Sequence, residues 1–596
     1  MKKIFAIGLA ALAMVCCDMD FYSSDTMTSA QLKSNPAAAV YTTDGIYSLL
    51  QDRIAYLGQD GGESGNYYIR HYFQLTEYRG DNVTISGVTE DPFVLPYTYK
   101  DDPKEKNIYY TWWIAYKIIN AANSNIDAIQ PGATALSDHL LGENYFFRAM
   151  MHFHMVTLFA MPYICGRDNP GVVLRNSTDI STTTRATVGA VYDQIVADLI
   201  KAKEYLANGE NQRVTGKDKS YVTLNAASAL LARVYLYMGE DAKCITECDE
   251  LLAKAPAEAT AGYDFASYPT KTYDAPETIW CLRLDENHDW YGEHAEASIA
   301  SMYIKDVNGW GENFWSERLI DNFQRYPQDK RFAGYFRMVG TDGAIHTMDE
   351  MKTLAAGKVT VTFPIKTKDD NDYCSSAVVM NCTPAIDGSV PFTYQSKNYT
   401  AVPTIVNTYT EYYVNDAGFP GEKLDGKARV FVRPNIDRAN GLRSKGGDYV
   451  RYFNTKFSYQ DGNPMISSPV FFRWGEVFLN RAEAYARSNQ SSKAIEDVNV
   501  IRERAGIPSF NKNMTVADMQ AIGYNSALEL VLDERNRELC FEGHRNFDLF
   551  RNGLKMDRRY VGYHPWEEIN YNDPRVALLI SQDEINASGI AQNPRD

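Results

Sequence analysis

Cysteine is scarce, at nine in 596 residues, which is too few for a disulfide-stapled scaffold. Basic residues are in deficit: 60 Lys and Arg against 76 Asp and Glu leave a formal charge of −16. Such a field repels a phosphate backbone, so nucleic acid is not an expected partner. No apolar run, the N-terminal one included, reaches the length of a transmembrane helix. The sequence has no Gly-rich phosphate loop, no G-x-S-x-G elbow, and no H-x-x-x-H or second C-x-x-C pattern, so no metal or cofactor is expected. What it does have is an ordinary globular balance, 45% hydrophobic and 23% charged, which excludes a disordered or fibrous chain. Aromatics are high at 13%, with 41 Tyr, 26 Phe and 8 Trp. Tyrosine and tryptophan join an apolar face to a polar tip, which suits wet recognition surfaces.

The N-terminus reads Met1-Lys-Lys, then an apolar run from Ile4 to Val15, then Cys16-Cys17-Asp18. A basic start and a short apolar stretch make a secretory signal, expected over residues 1–16. A cysteine at the cut is the bacterial lipoprotein arrangement, with Cys17 acylated as the new N-terminus. More than one acyl chain there holds a domain firmly to a membrane. The mature chain, 17–596, is expected to be a single domain.

Along that chain, residues 40–255 read as a helical scaffold. Trp112, Trp113, Tyr116, Ile119, Ala122, Asn123 and Ile126 recur at helical spacing, as do Phe146, Phe147, Met150, Phe153 and Phe159. Over 256–465 the character shifts to Asp, Asn, Gly, Tyr and Pro, with alternation only in Val359–Phe363 and Ala428–Val432. The expectation there is a variable, loop-rich ligand region with a few short strands. Helical patterning returns over 466–596. Ala232, Tyr235, Lys243 and Ile245 recur as Ala482, Tyr485, Lys493 and Ile495, each pair 250 residues apart. Both segments read as two helices around a short polar break, the packing logic of tetratricopeptide hairpins. The fold class expected is mainly α: a tetratricopeptide-like helical-hairpin scaffold with long loop-rich insertions and a few short β-strands.

Several blocks also match a family pattern. They are Glu77-Tyr-Arg79-Gly-Asp81-Asn82, Trp113 to Asn123, Gly142-Glu143 to Arg148-Ala149, and Asn225 to Leu236. Later come Arg473-Trp-Gly-Glu476 to Ala484, Arg502 to Gly506, and Glu534-Arg535 to Asp548-Leu549. Together they resemble the SusD/RagB outer-membrane nutrient-binding lipoproteins of gut Bacteroidota. The resemblance implies a non-catalytic surface lipoprotein, anchored by lipid to the outer membrane and facing the exterior. It would capture an oligosaccharide for a SusC-like TonB-dependent transporter. Asp18, Asp20 and Asp25 then resemble the acidic export tag of such lipoproteins.

The alternative is a surface glycosidase, since Glu534, Glu538 and Glu542 share one helical face and paired carboxylates cleave glycosides. Interleaved Arg535, Arg537 and Arg545 favour an ion-paired structural seam, because pairing lowers a carboxyl pKa and a general acid needs a raised one. Cys244 and Cys248 read as core residues, Cys374 and Cys382 as a conceivable disulfide, and Lys368–Asp372 as a solvated loop that could hold calcium. For the glycan, flat C–H sugar faces need aromatic planes edged by hydrogen-bonding groups. Trp290, Trp310 and Trp315 are the expected platforms, with Tyr97 and Tyr291 as lesser ones and Arg79, Asp81 and Asn82 as hydroxyl contacts.

The anchor is testable from sequence alone. In cells lacking the transporter, Cys17→Ala should leave the membrane fraction and appear as soluble protein; a variant still pelleting with membranes contradicts lipidation at Cys17.

Overall fold

The computed structural model describes residues 36–51, 68–85, 87, 89, 91–179, 181, 183–209, 212–213, 219–261, 263–285, 298–304, 309–366, 374–406, 409–436 and 452–595. Cys17, Trp290, Tyr291 and the Lys368–Asp372 loop lie outside them.

The helices used below are α1 (Pro36–Gln51), α2 (Tyr68–Tyr78), α3 (Lys106–Ala128), α4 (Ala135–Phe159), α5 (Val188–Asn208), α6 (Leu224–Met238) and α7 (Asp241–Leu252). From the C-terminal part come α8 (Trp474–Arg487), α9 (Ser491–Arg504), α10 (Ala527–Leu539) and α11 (Gln582–Ser588). Side chains cap many of their first turns. Glu105 accepts from the Asn107 and Ile108 amides, and Thr134, Thr187, Thr223 and Ser526 each accept from the amide three residues on. Helix α4 is buried on nearly every side from Asp138 onward, and so forms the centre against which α3 and α5 pack.

The repeat seen in the sequence is a repeat in space. Helices α6 and α7 form one hairpin, α8 and α9 another, and α7 packs on α8. Ala232 and Ala482 are fully buried at equivalent places, where a methyl lets the second helix come close. The matched pairs even share a cation–π contact: Lys243 Nζ lies 5.6 Å from the Tyr235 ring centre, and Lys493 Nζ lies 5.1 Å from that of Tyr485.

The middle region departs from expectation. Residues 359–434 are not loops with occasional strands but a seven-stranded antiparallel sheet. With β1 (Val83–Ile85), β2 (Thr278–Cys281) and β3 (Asn313–Trp315) preceding it, its strands are β4 (Val359–Lys366), β5 (Cys374–Cys382), β6 (Val390–Tyr394), β7 (Lys397–Val406), β8 (Tyr409–Val414), β9 (Lys423–Leu424) and β10 (Lys427–Pro434). The path runs β6-β7-β8-β10-β4-β5, with β9 on β10 and the two ends, β5 and β6, in contact, so the sheet nearly closes. It encloses its own core of Val361, Phe363, Val390, Phe392, Ala401, Phe419 and Val430. Cys374 and Cys382 stand at opposite ends of β5, and Cys382 is a free thiol, so they do not pair. Cys244 and Cys248 are buried free thiols, as core residues would be.

A buried ionic network joins the parts. Glu534 accepts from Arg331 and Arg537 at 2.8 Å and from Arg502 at 3.1 Å. Glu538 pairs with Arg331 at 2.8 Å and also with Arg473 and Arg504. Glu542 pairs with Arg473 at 2.8 Å and with Lys456. Glu277, just before β2, meets Arg473 at 3.0 Å and Arg504 at 2.7 Å. Gly475 has no room for a side chain here, since a Cβ would stand 2.8 Å from Glu277 Oε1. All four Glu538 and Glu542 partners, Arg331, Lys456, Arg473 and Arg504, come from distant segments rather than from the interleaved arginines. Arg535 instead serves Asp548, and Arg545 serves Asp81.

Burial by itself would raise these carboxyl pKa values, but the arginines outweigh it, taking Glu534 down to about 2 and Glu538 well below its ordinary range. Glu538→Gln should therefore lower stability by about 3–5 kcal/mol in denaturant unfolding, because it strands buried guanidinium groups. A depressed carboxyl stabilises above its unfolded value near 4.5 and loses that stabilisation as pH falls toward 2. The wild type should thus weaken through that window, and Glu534→Gln should weaken less steeply there; equal slopes contradict the assignment.

Candidate functional site

Strand β1 pairs with β3, Val83 opposite Trp315, and this brings the 79–82 turn against 313–318. The pairing buries most of the residues expected to face a glycan. Asp81 accepts from Arg545 Nε at 2.7 Å and Arg318 Nε at 3.1 Å. Burial would raise its pKa, but the two arginines outweigh it and hold the carboxyl below its usual range. The Asn82 amide donates to Glu77 Oε1 at 2.9 Å, and the Asn82 carbonyl accepts from the Ser316 amide at 2.8 Å. Burial pushes the Glu77 carboxyl up to about 7 despite that bond and another from the Gly543 amide. Arg79 stacks 4.2 Å from the Tyr99 ring centre and donates to Asp101 and to the Arg575 and Val576 carbonyls. Arg79, Asp81 and Asn82 are at most 2% exposed. They are the structural turn of this junction, not hydroxyl contacts.

Tyr97 and Trp315, expected as platforms, are likewise buried. Tyr97 is sealed beneath Arg558, whose guanidinium lies 4.5 Å from its ring centre. Trp315 is 1% exposed, enclosed by Phe323, Phe332, Phe336 and Phe541 at 5.2–5.8 Å between ring centres. Expected as an open platform, it instead occupies a paired strand and anchors an aromatic core. Trp310 differs. The Trp310 and Gly311 amides both donate to the Ser301 carbonyl, at 2.7 and 2.9 Å, in a turn that Gly311 completes with φ +57°. The turn fixes the backbone and leaves the Trp310 indole half-buried. Among the described residues, it alone of the expected platforms keeps some surface.

A second aromatic place lies elsewhere, on α3. Tyr109, Trp113 and Tyr116, with Lys117, line a pocket of about 190 Å³ closed by Val173, Arg175 and Glu584 of α11, over the edge of Trp112. Trp112 is buried, whereas Tyr109, Trp113 and Tyr116 are half-buried. Their spacing of i, i+4, i+7 was the available signal, but it runs beside the core stripe and merges with it.

Residues 276–588, just over half of the chain, match the profile described as the SusD family. The chain belongs to the SusD family. Residues 59–236 match a second profile, described as starch-binding associating with outer membrane. Among curated relatives, SusD-like protein P25 of Formosa agariphila is 23% identical over 491 residues, covering 80% of this chain and 77% of that one. SusD-like protein P2 of the same organism is 24% identical over 476 residues, covering 78% and 76%. Among solved structures, a SusD superfamily protein from Bacteroides thetaiotaomicron aligns with a TM-score of 0.62 at 20% identity, over 94% of this chain and 99% of that one. A laminarin-binding SusD-like protein aligns with a TM-score of 0.54 at 16% identity, over 94% and 99%. These structural likenesses show a shared fold.

The burial of Trp315 has a direct consequence. Trp315→Ala should cost about 3–5 kcal/mol of folding stability, as removal of a large core aromatic does. A variant that melts like the wild type but loses glycan binding would show that the residue serves the ligand after all.

Proposed function

We propose that this chain is a non-catalytic lipoprotein on the outer face of the outer membrane, anchored through Cys17, which captures oligosaccharide and delivers it to a SusC-like TonB-dependent transporter. The observation that carries this reading is family membership across both helical blocks, one of them matching a description that joins starch binding to the outer membrane. A laminarin-binding protein of the same fold supports a glycan as ligand.

The carboxylates favour capture over cleavage. Arginine and lysine hold Glu534, Glu538 and Glu542 anionic, so none of these three offers a protonated acid to a leaving group. Glu77, whose carboxyl is raised, is completely buried and bonded to Asn82 and the Gly543 amide. Specificity is assigned to Trp310 together with Trp290 and Tyr291, in the part of the chain between the two helical blocks.

A glycan array on the mature chain, followed by calorimetry on the strongest ligand, tests this. Loss of a stacked aromatic is worth about 1–3 kcal/mol by analogy with base stacking, so Trp310→Ala and Trp290→Ala should each weaken binding roughly tenfold to a hundredfold with melting unchanged. No ligand on a broad array, or wild-type affinity in both variants, would contradict the reading.

A further inference from the structure

We propose that the α3 pocket is a second carbohydrate subsite, one that takes an anionic sugar ring, a uronate or a sulfated hexose. This rests on the carbohydrate-binding reading above, and none of the pocket's residues belongs to the capture site proposed there.

The pocket is built, not incidental. The chain from Val173 to Ser177 is tied to α3 and α4 at every other step or closer. Tyr116 Oη donates to the Val173 carbonyl at 2.7 Å, and Asn123 Nδ2 donates to the Ser177 carbonyl at 2.8 Å. Arg148 donates to the Asn176 carbonyl at 3.0 Å. The Arg175 amide meets His152 Nε2 at 3.2 Å, while His152 Nδ1 lies 3.0 Å from the Arg148 carbonyl. Burial, helped by Arg148, pushes the His152 pKa down to about 3. The ring is therefore neutral, with Nδ1 donating and Nε2 accepting.

On this fixed backbone, Arg175 carries an Nη1 that is buried and has no hydrogen-bond partner among the described residues. A buried guanidinium donor left idle is costly, and its natural complement is an oxyanion, carboxylate or sulfate, whose oxygens accept two parallel bonds. The surroundings reinforce the preference. Arg185, close enough to act on the Tyr116 hydroxyl, is bonded to backbone carbonyls of Gly171 and Pro170 rather than to a carboxylate. Lys117 places its ammonium 4.9 Å from the Trp113 ring centre at the pocket's lip. Against these cations stand Glu584 in the wall and exposed Asp583 beside it. A cationic patch in a chain of formal charge −16 is a local feature that the overall composition opposes.

The parts divide the work on one ring. Trp113 and Tyr109 offer flat faces for sugar C–H groups, Glu584 accepts from hydroxyls, and Arg175 with Lys117 holds the acidic substituent. At about 190 Å³ the space falls below the roughly 300–1,000 Å³ of drug-sized ligand pockets, so a single ring fits it better than a chain.

Galactose, galacturonate and galactose 6-sulfate share one ring and differ at C6, which makes them direct probes. Ligand-observed saturation-transfer NMR on the mature chain should give transfer from one or both anionic sugars and little from galactose. The arm that responds distinguishes carboxylate from sulfate. The signal should fall at least fivefold in Arg175→Gln and in Trp113→Ala, be partly kept in Arg175→Lys, and weaken as salt is raised. Melting curves show whether each variant is folded, and either folded variant suffices. Trp310→Ala should keep the signal. No transfer from either anionic sugar, equal transfer from all three, or transfer unchanged in the folded pocket variants would overturn the assignment. The capture reading is decided separately by the array ligand.

Discussion

The fold depends on one buried carboxylate more than on any other group. Glu538 is 2% exposed and ion-paired to Arg331, Arg473 and Arg504, which reach it from three separate stretches of chain. Arg473 closes the strand Val470–Arg473 that pairs with β2, Arg504 ends α9, and Arg331 lies on the segment leading into the sheet. Glu277 bridges Arg473 and Arg504 from the opposite side. Charges this deeply placed are tolerated only when every partner is present, because each alone carries a desolvation penalty of several kcal/mol. The network therefore ties the C-terminal helices to the segments carrying Glu277, Arg331 and Lys456.

That arrangement bears on what the molecule does. Carboxylates locked to guanidinium groups hold helices in place and stay anionic, so the row of Glu534, Glu538 and Glu542 is an element of architecture. The two surfaces proposed for ligands, the turn carrying Trp310 and the aromatic pocket of α3, lie outside the network. Both set half-buried indoles on backbone that is pinned by hydrogen bonds, which lowers the entropy lost on binding.

Much of the helical frame was legible in the sequence because its signals are local. The 3.6-residue spacing marked α3 and α4, and the 250-residue repeat marked the two hairpins, including the lysines and tyrosines that form matching cation–π contacts. The sheet was not legible. In β7 only Tyr399 and Ala401 point into the core among exposed Lys397, Asn398 and Thr400, so apolar alternation is thin. The site fared worst, for a related reason. Whether Trp315 or Asp81 is exposed depends on partners far away in the chain, Val83 opposite the one and Arg545 against the other, and neighbours in sequence carry no trace of that. On α3, helical spacing marked Trp113 and Tyr116 but not the pocket, because an aromatic stripe facing a pocket has the same period as one facing a helix.

The claim at the centre of this account is that the acidic helix holds the frame while the molecule binds sugar without altering it. Prolonged incubation with the tightest-binding glycan, followed by release and mass analysis of the recovered ligand, tests that most directly. The account predicts stoichiometric recovery of the intact oligosaccharide with no new reducing ends. Shortened products that accumulate with time, and that vanish in Glu538→Gln protein still folded, would contradict it.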